Sequence, residues 1–449
     1  MKFSEKYKLM EVTLDVNDFC NMKCSYCWEQ QCKNRLSQEN AQKICDRLIS
    51  NYNSHKQSNV MRVHFFGGEP LMDWDVLEFI MGYMKERIPM WFGITTNATL
   101  FSDRILNKMK EYDVHTMVSI DGKKERHDVN RRFLKGDPTH AIVVANIKKL
   151  IDLGIDFEAR MTITPENAKY VAEDVKYLIE ELGIRHIAPC PVYDQNWTDK
   201  QIEEFGKAME DLYDIYIENH FDYKTKVYIK FFEDYLFKDL DVKHHNPPCG
   251  FGNNTSVAID TFGNVYPCHQ APTRKDRDRF VVGNIITDES YENDIVKVVR
   301  PYTFSSPMCE TCPALQTICT GGCPMESWEE HGDLLAPTCE TCKFTQLYYK
   351  TAKKLQKEKG IPKPISPSER RDFLYSAIMR MLGNIDNIIE DHKNKEYDSD
   401  TVSTLSQAVW LINEQILNNE AIHLNTPYLA KEINQRMKAI RAEVVDKNG

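Results

Sequence analysis

The 449-residue chain has no apolar run approaching the about eighteen residues that a membrane-spanning helix needs, so no membrane partner is expected. It also lacks a surplus of positive charge: 57 Lys and Arg stand against 67 Asp and Glu, for a net charge of −10 and a pI near 5.8. Basic residues are scattered, with Arg131-Arg132 the nearest thing to a patch, and nucleic acid is therefore not an expected main partner. Met1-Lys2-Phe3-Ser4 starts no signal peptide, and no internal repeat is evident. Against these absences stands cysteine, of which there are fourteen. Without an export signal they suggest reduced thiols and metal, not disulfides. The expected setting is cytoplasmic, in an anaerobe or shielded from oxygen. The hydrophobic content of 42% is that of an ordinary soluble protein, and the length implies two or three domains.

Cys20, Cys24 and Cys27 form a C-x3-C-x2-C array. Three thiolates so close on one loop can hold three irons of a [4Fe–4S] cube and leave the fourth open to a small chelating molecule. A structural cluster is normally closed by four cysteines, whereas three ligands and an open position mark a site that binds something. Zinc also suits soft thiolates, and chance spacing is the other bland alternative; the rest of the chain argues against both. Cys20-Asn21-Met22-Lys23-Cys24-Ser25-Tyr26-Cys27 resembles the signature of the radical S-adenosylmethionine (SAM) enzymes. The resemblance implies that Tyr26 lies against the adenine of SAM and that the open iron chelates the amino and carboxylate groups of its methionine. One electron, from an external donor such as flavodoxin or ferredoxin, then cleaves the sulfonium. The products are methionine and a 5′-deoxyadenosyl radical that takes a hydrogen atom from substrate.

The first 190 or so residues repeat a strand-then-helix rhythm. Strand-like apolar runs occur at Leu9–Val16, Val60–Phe66, Trp91–Thr95, Val114–Ile120, Phe157–Ile163 and His186–Pro189. Amphipathic stretches such as Ser37–Asn51 and Ala141–Leu153 separate them. Six strands alternating with helices imply an α/β fold with a parallel sheet, two units short of a closed eight-stranded barrel. That agrees with the partial (β/α)6 TIM-like barrel implied by the radical SAM resemblance, with ligand residues at the C-terminal strand ends. The expected segments are 1–242 for the barrel, 243–345 for a small cysteine-rich domain, and 346–449 for a linker and an all-helical C-terminal segment. In the region from Thr198 to Val242, Phe205, Tyr213, Tyr216 and Phe232 read as packing residues. Past the Pro-rich stretch Gly360–Ile365, Phe373, Leu374, Ile378, Met381, Leu382, Ile385 and Ile389 form a helical stripe.

Gly67-Gly68-Glu69-Pro70 follows the second strand and resembles the family's GGEP loop, whose acceptors hold the SAM ammonium; glycine there allows close backbone approach to a ligand. Thr95-Thr96-Asn97 and Ser119-Ile120-Asp121-Gly122 end the third and fourth strands and resemble segments that bond the ribose and methionine parts of SAM. The resemblance thus assigns Gly67, Gly68, Glu69, Asn97 and Ser119 to SAM. Arg160 is expected near the same site, where a guanidinium can pair with the SAM carboxylate. His127-Asp128 and Asn130-Arg131 match a common family pattern, with a structural role expected.

A second cysteine field follows. Cys249 is separated by thirteen residues from Gly263 and by four more from Cys268; then come Cys309-x2-Cys312-x6-Cys319-x3-Cys323 and Cys339-x2-Cys342. This resembles the SPASM domain and its two auxiliary iron–sulfur clusters, with six residues in place of the usual five before Cys319. A zinc ribbon explains only Cys309 and Cys312. By the resemblance, Cys249, Cys268 and Cys323 hold auxiliary cluster I, and Cys309, Cys312, Cys319 and one of the last pair hold cluster II. Cys339 looks most like the closing ligand, with Cys342 either spare or the fourth ligand of cluster I. In the anaerobic sulfatase-maturating enzymes an extra cysteine follows the first SPASM cysteine by six residues, and an acidic base follows the second. Here those positions are Thr255 and His269, and both depart from that branch. His269 stays open as a base, a ligand or a polar surface residue. Cys45 reads as core, and Cys190 stands at the barrel mouth.

The expected function is a radical SAM/SPASM enzyme that modifies a peptide or protein by cross-link, thioether, oxidation or epimerisation. The N-terminal winged-helix domain that grips leader peptides in many maturases is expected to be absent, because the first cluster cysteine comes at residue 20. A small-molecule dehydrogenase or epimerase and an iron–sulfur electron carrier are the alternatives.

Overall fold

The computed structural model describes residues 2–55, 60–220, 227–236, 240, 251–297, 309, 312–314, 317–319 and 321–359. All of them belong to one compact unit, Met1–Gly360. Cys249 and the helical stripe expected over 373–389 lie outside the described residues.

The six expected strands form where the sequence places them: β1 (Glu11–Asp15), β2 (Met61–Phe66), β3 (Met90–Thr96), β4 (His115–Ser119), β5 (Phe157–Ile163) and β6 (His186–Pro191). They pair in parallel and in sequence order. A two-residue strand, β7 (Tyr228–Ile229), pairs with β6. The intervening helices include α1 (Gln38–Ser54), α2 (Trp74–Lys85), α3 (Asp103–Glu111), α4 (His140–Asp152), α5 (Val171–Glu180) and α6 (Asp199–Asp211). Several start on a side-chain cap: the oxygens of Ser37, Ser102 and Thr198 accept from the backbone N–H groups of Asn40, Ile105 and Gln201.

Strand periodicity sorts the side chains. Along β5, Phe157, Ala159, Met161 and Ile163 are buried, while Arg160 and Thr162 turn to the opposite face. Val63 and Phe65 on β2 and Val118 on β4 join the buried face, which forms one hydrophobic core with Ile44, Leu48, Leu77, Met84, Leu106, Ile147 and Leu178 of the helices. The opposite face, with Thr13, His64, Phe66, Thr95, Met117, Ser119, Arg160 and Thr162, lines a cavity. Phe205, Tyr213, Tyr216 and Phe232 are buried, as packing residues are, and so is Cys45.

Beyond the sixth strand the sheet continues in an unexpected direction. Strands β8 (Ser256–Ile259), β9 (Asn264–Tyr266), β10 (Gly283–Asn284) and β11 (Glu289–Ser290) extend it past β1. β8 pairs with β1 in parallel, Glu11 opposite Ser256, and the others follow antiparallel. The expected segments 1–242 and 243–345 therefore share one sheet. Two further helices, α7 (Pro324–His331) and α8 (Cys339–Lys359), close the described part. The Phe344 ring on α8 meets Tyr193, Trp197 and Phe205 edge-on, with centroids 4.8–5.8 Å apart.

Candidate active site

At the C-terminal ends of β1–β6 lies a cavity of about 540 Å³. It gathers Cys20, Cys24, Tyr26, Cys27, Gly67, Gly68, Glu69, Asn97, Ser119 and Arg160, and from the cysteine-rich segment His269. Residues far apart in the sequence, from Cys20 to His269, are thus brought to one mouth by parallel strands whose ends all point the same way.

The cysteine loop is clamped from two sides. On one, Lys23 and Ser25 donate their N–H groups to the carbonyls of Arg132 (2.8 Å) and Asn130 (3.0 Å), and Leu134 N–H donates to Asn21 O (3.2 Å). The segment after His127 thus has the structural role expected of it. On the other, Gly68 and Glu69 donate N–H to Asn17 O (3.2 Å) and Phe19 O (3.0 Å). A Cβ on Gly67, which has φ +118°, would stand 2.2 Å from Asn17 O, and one on Gly68 would stand 2.2 Å from Phe19 O. The two glycines are therefore required by the approach of one loop backbone to another, a reason distinct from the ligand approach expected from sequence.

Glu69 is buried and spans the loop it begins. Its carboxylate accepts from Leu71 N (3.1 Å), Thr96 Oγ1 (2.7 Å) and Asn97 N (2.7 Å). Burial nonetheless pushes its pKa up to about 7, against those three bonds. Asn97 Nδ2 donates to Asn21 Oδ1 (2.8 Å) and points at Cys20 Sγ (3.6 Å). The Arg160 side chain has no ion-pair partner among the described residues and so keeps its charge available to an anion in the cavity.

The three thiols fit an iron–sulfur group. Burial raises all three: Cys20 to about 12, with Glu69 adding, Cys27 to about 11, with Glu29 adding, and Cys24 against the opposing charge of Arg131. Each nevertheless receives a donor suited to a thiolate: Met22 N at 3.3 Å from Cys20 Sγ, Arg131 at Cys24 and Glu29 N–H at Cys27. Hydrogen bonds to sulfur are how a protein tunes such a cluster, and a bound cation supplies the positive charge that deprotonates buried thiols. Among the described residues no three His, Cys, Asp or Glu side chains gather closely enough to ligate a single metal ion.

Several cavity residues were not assigned from sequence. Arg131 Nε lies 3.0 Å from Asp121 Oδ2, and its guanidinium stands 5.3 Å from the Tyr26 ring centroid. Tyr26 OH donates to the same Asp121 oxygen, while Asp121 Oδ1 accepts from Thr162 N (3.0 Å). Glu29 lines the cavity with a pKa pushed up to about 8 by burial first, then by Asp18 and Glu69. The only sequence signal for these residues was adjacency to a motif.

His269 packs edge-on against Phe66 (5.7 Å between centroids) and Trp28 (6.4 Å). Burial, aided by the nearby Arg160 charge, lowers its pKa to about 4, so the imidazole is neutral at physiological pH. His64 behaves likewise. Gln270, Arg274, Glu326 and Glu329 complete the wall on that side, and Cys190 lines the cavity from β6. Cys323 Sγ lies 3.7 Å from Gln270 Oε1, and Cys268 is part-exposed. In the second cysteine field, burial raises the Cys342 pKa to about 11, with the charges of Cys319, Cys309 and Cys312 adding and Cys339 last. Those three thiols thus lie near enough to act on Cys342, while Cys339 is exposed.

Residues 14–178 match the radical SAM superfamily model. An uncharacterized protein of Methanocaldococcus jannaschii is 27% identical over 58% of this chain and 85% of its own length. A cysteine-type anaerobic sulfatase-maturating enzyme of Clostridium perfringens is 23% identical over 68% of this chain and 85% of its own. Among solved structures, the native sulfatase-maturating enzyme anSMEcpe with bound AdoMet and Cp18Cys peptide superimposes with a TM-score of 0.63 at 20% identity, covering 78% of this chain and 98% of that one. Streptococcus suis SuiB bound to precursor peptide SuiA gives 0.55 at 15% identity, over 74% and 76%. The parallel sheet thus has the partial-barrel fold of these structures, and residues 14–178 form a radical SAM domain, of a superfamily that works with a [4Fe–4S] cluster and SAM.

Proposed function

We propose that this enzyme modifies a peptide or protein after its synthesis, with a SPASM segment carrying two auxiliary iron–sulfur clusters. One observation carries the reading: a single cavity is walled on one side by the SAM-site residues and on the other by His269, Gln270, Arg274 and Glu326 of the cysteine-rich segment. A substrate held there meets both.

A cluster bound at the cysteine loop would supply the electron for reductive cleavage of SAM, and SAM would supply the 5′-deoxyadenosyl radical for hydrogen abstraction. The chain's own residues bind, orient and shield. Cys20, Cys24 and Cys27 would hold the cluster. Tyr26, fixed by Asp121 and Arg131, would hold the adenine. The loop Gly67–Glu69 would receive the ammonium, Asn97 and Ser119 the ribose and methionine, and Arg160 the carboxylate. His269, neutral and beside Arg160, accepts the proton that leaves an oxidised substrate; burial makes it a weaker base than free imidazole. Cys249, Cys268 and Cys323 would hold auxiliary cluster I, and Cys309, Cys312, Cys319 and Cys342 would hold cluster II, a set in which the sequence favoured Cys339.

Structural neighbours solved with a bound peptide support a peptide substrate. Thr255 argues against sulfatase maturation itself: its backbone carbonyl accepts from Met10 and Glu11 at the start of β1, and its hydroxyl bonds Asn253 Oδ1 (3.2 Å), so it offers no thiolate. The test is 5′-deoxyadenosine release by the anaerobically reconstituted chain with SAM and a reductant, with and without a low-mass peptide fraction from the source cells. Release is expected to rise with that fraction and to fall after protease treatment. Release indifferent to peptide would overturn the peptide reading in favour of a small molecule.

A further inference from the structure

One corner of the cavity is built from aromatic rings, and two of them, Trp28 and Phe66, have no task in the SAM site. Trp28 directly follows Cys27, Phe66 ends β2 just before Gly67, and His269 reaches in from the cysteine-rich segment. The Trp28 and Phe66 rings lie 20° from parallel with centroids 6.4 Å apart, and His269 stands edge-on to both, at 68° and 73°. Each keeps ring surface open to the cavity. Their polar edges are free as well. The indole N–H groups of Trp74, Trp197 and Trp328 donate to Glu78 Oε2 (3.0 Å), Val192 O (2.7 Å) and Asp276 Oδ2 (2.7 Å), as those of buried tryptophans ordinarily do. The Trp28 N–H and the ring nitrogens of His269 have no hydrogen-bond partner among the described residues.

The charges around the corner restrict what it can take. The Arg274 guanidinium stands 5.7 Å from the Trp28 ring centroid, so the cation that an indole face attracts is already in place. The Arg160 charge acts on His269 from the other side, and two guanidinium groups disfavour a basic side chain. An acidic one finds neither of them free. Arg274 is paired with Glu329 and donates to Gln270 Oε1 (3.0 Å), and at Arg160 an acid would compete with the SAM carboxylate. We propose that Trp28, Phe66 and His269 form the subsite for an uncharged apolar side chain of the substrate peptide, above all an aromatic one, whose own amide groups meet the free Trp28 N–H and His269 nitrogens; the inference rests on the peptide reading of the cavity. Ring-on-ring packing beside a polar edge favours aromatic partners, and an apolar pocket with a few placed polar groups is the usual form of a ligand site. Because Trp28 adjoins Cys27 and Phe66 adjoins Gly67, a residue seated there lies next to the place of SAM, and its seating selects which hydrogen comes within reach.

The experiment uses the full chain, anaerobically reconstituted and saturated with SAM but without reductant. The probes are the N-acetyl amides of phenylalanine, leucine, lysine and glutamate, and ligand-observed NMR line broadening measures their affinity. The phenylalanine probe is expected to bind about tenfold or more tighter than the lysine and glutamate probes, with leucine between. Trp28→Ala combined with Phe66→Ala is expected to weaken phenylalanine binding about tenfold or more, and Trp28→Phe to keep most of it. Iron per chain and SAM affinity in the same samples separate a lost subsite from a damaged cysteine loop, and the ranking of the probes on the parent chain needs no variant. Equal binding of all the probes, tighter binding of the lysine or glutamate probe, or undiminished phenylalanine binding in an iron-replete double variant would overturn the subsite. Release of 5′-deoxyadenosine that rises with the peptide fraction while the probes show no preference overturns the subsite and leaves the peptide reading standing. A phenylalanine preference with release indifferent to peptide overturns the peptide reading alone.

Discussion

Arg131 and Asp121 meet as a buried ion pair, Nε 3.0 Å from Oδ2, directly behind the ring of Tyr26. Burial opposes the arginine's charge, but Asp121, Tyr26 and Cys24 together more than offset it. One guanidinium thereby ties the end of the fourth strand to the middle thiol of the cysteine loop.

Arg131→Met should therefore cost both stability and metal. It leaves the Asp121 carboxylate buried without its counter-charge, a loss of about 3–5 kcal/mol for such pairs, and removes the donor to Cys24. Denaturant unfolding and iron per chain after reconstitution measure the two effects. Arg131→Lys should recover part of the stability. A variant as stable and iron-replete as the parent would mean that the pair is dispensable.

Gly68→Ala tests the clamp between the two loops. The added methyl meets the Phe19 carbonyl at 2.2 Å, a backbone atom that cannot swing aside. The GGEP loop must then lift from the cysteine loop, and iron content of the N-terminal site should fall by about half or more. Full iron occupancy with unaltered SAM binding would show that the loops tolerate separation.

The buried carboxyls Glu69 and Glu29 set a pH dependence. Their pKa values in the folded chain are about 7 and about 8, against an ordinary 4.5. Both states are protonated below 4.5, so nothing is lost there. As pH rises, the unfolded chain ionises first, and stability declines until the folded groups ionise near 7 and 8. Chemical denaturation of the metal-free chain should thus show falling stability from about pH 5 to about pH 8, with Glu29→Gln flattening the upper part. A profile identical in parent and variant would rule out Glu29 as a source.

Cys339 and Cys342 can be separated by analysis of iron and sulfide. The charges of Cys319, Cys309 and Cys312 act on the Cys342 thiol, whereas Cys339 is exposed. Cys342→Ala should lower auxiliary iron and alter the electron paramagnetic resonance of the reduced clusters. Cys339→Ala should change either one little. The reverse result would return the closing role to Cys339.

What could be read in the sequence followed from local pattern. The six barrel strands announce themselves as apolar runs between amphipathic helices, and the motifs at their ends fall into one cavity because parallel strands end on one side. What escaped depends on contacts distant in sequence. Arg131 sits in a segment with an ordinary structural task, and nothing local shows that its guanidinium reaches Cys24 and Asp121. Glu29 is one polar residue after a motif until burial changes its chemistry. The glycines of the GGEP loop were legible, but their stated reason was not, because the carbonyls they avoid belong to Asn17 and Phe19. Strands β9–β11 are too short to carry a periodic signal, and the parallel pairing of β8 with β1 joins residues that no local pattern connects.

That last pairing has a consequence for biosynthesis. Glu11 waits for Ser256, and at about 5–20 residues per second the ribosome needs roughly 12–50 s to make the intervening chain. During that interval one edge of β1 has no neighbour, and an open strand edge is a template for aggregation. A nascent or truncated chain that stops short of β8 carries that open edge right beside the cysteine loop, so loading of iron during translation and protection from self-association compete for the same few seconds.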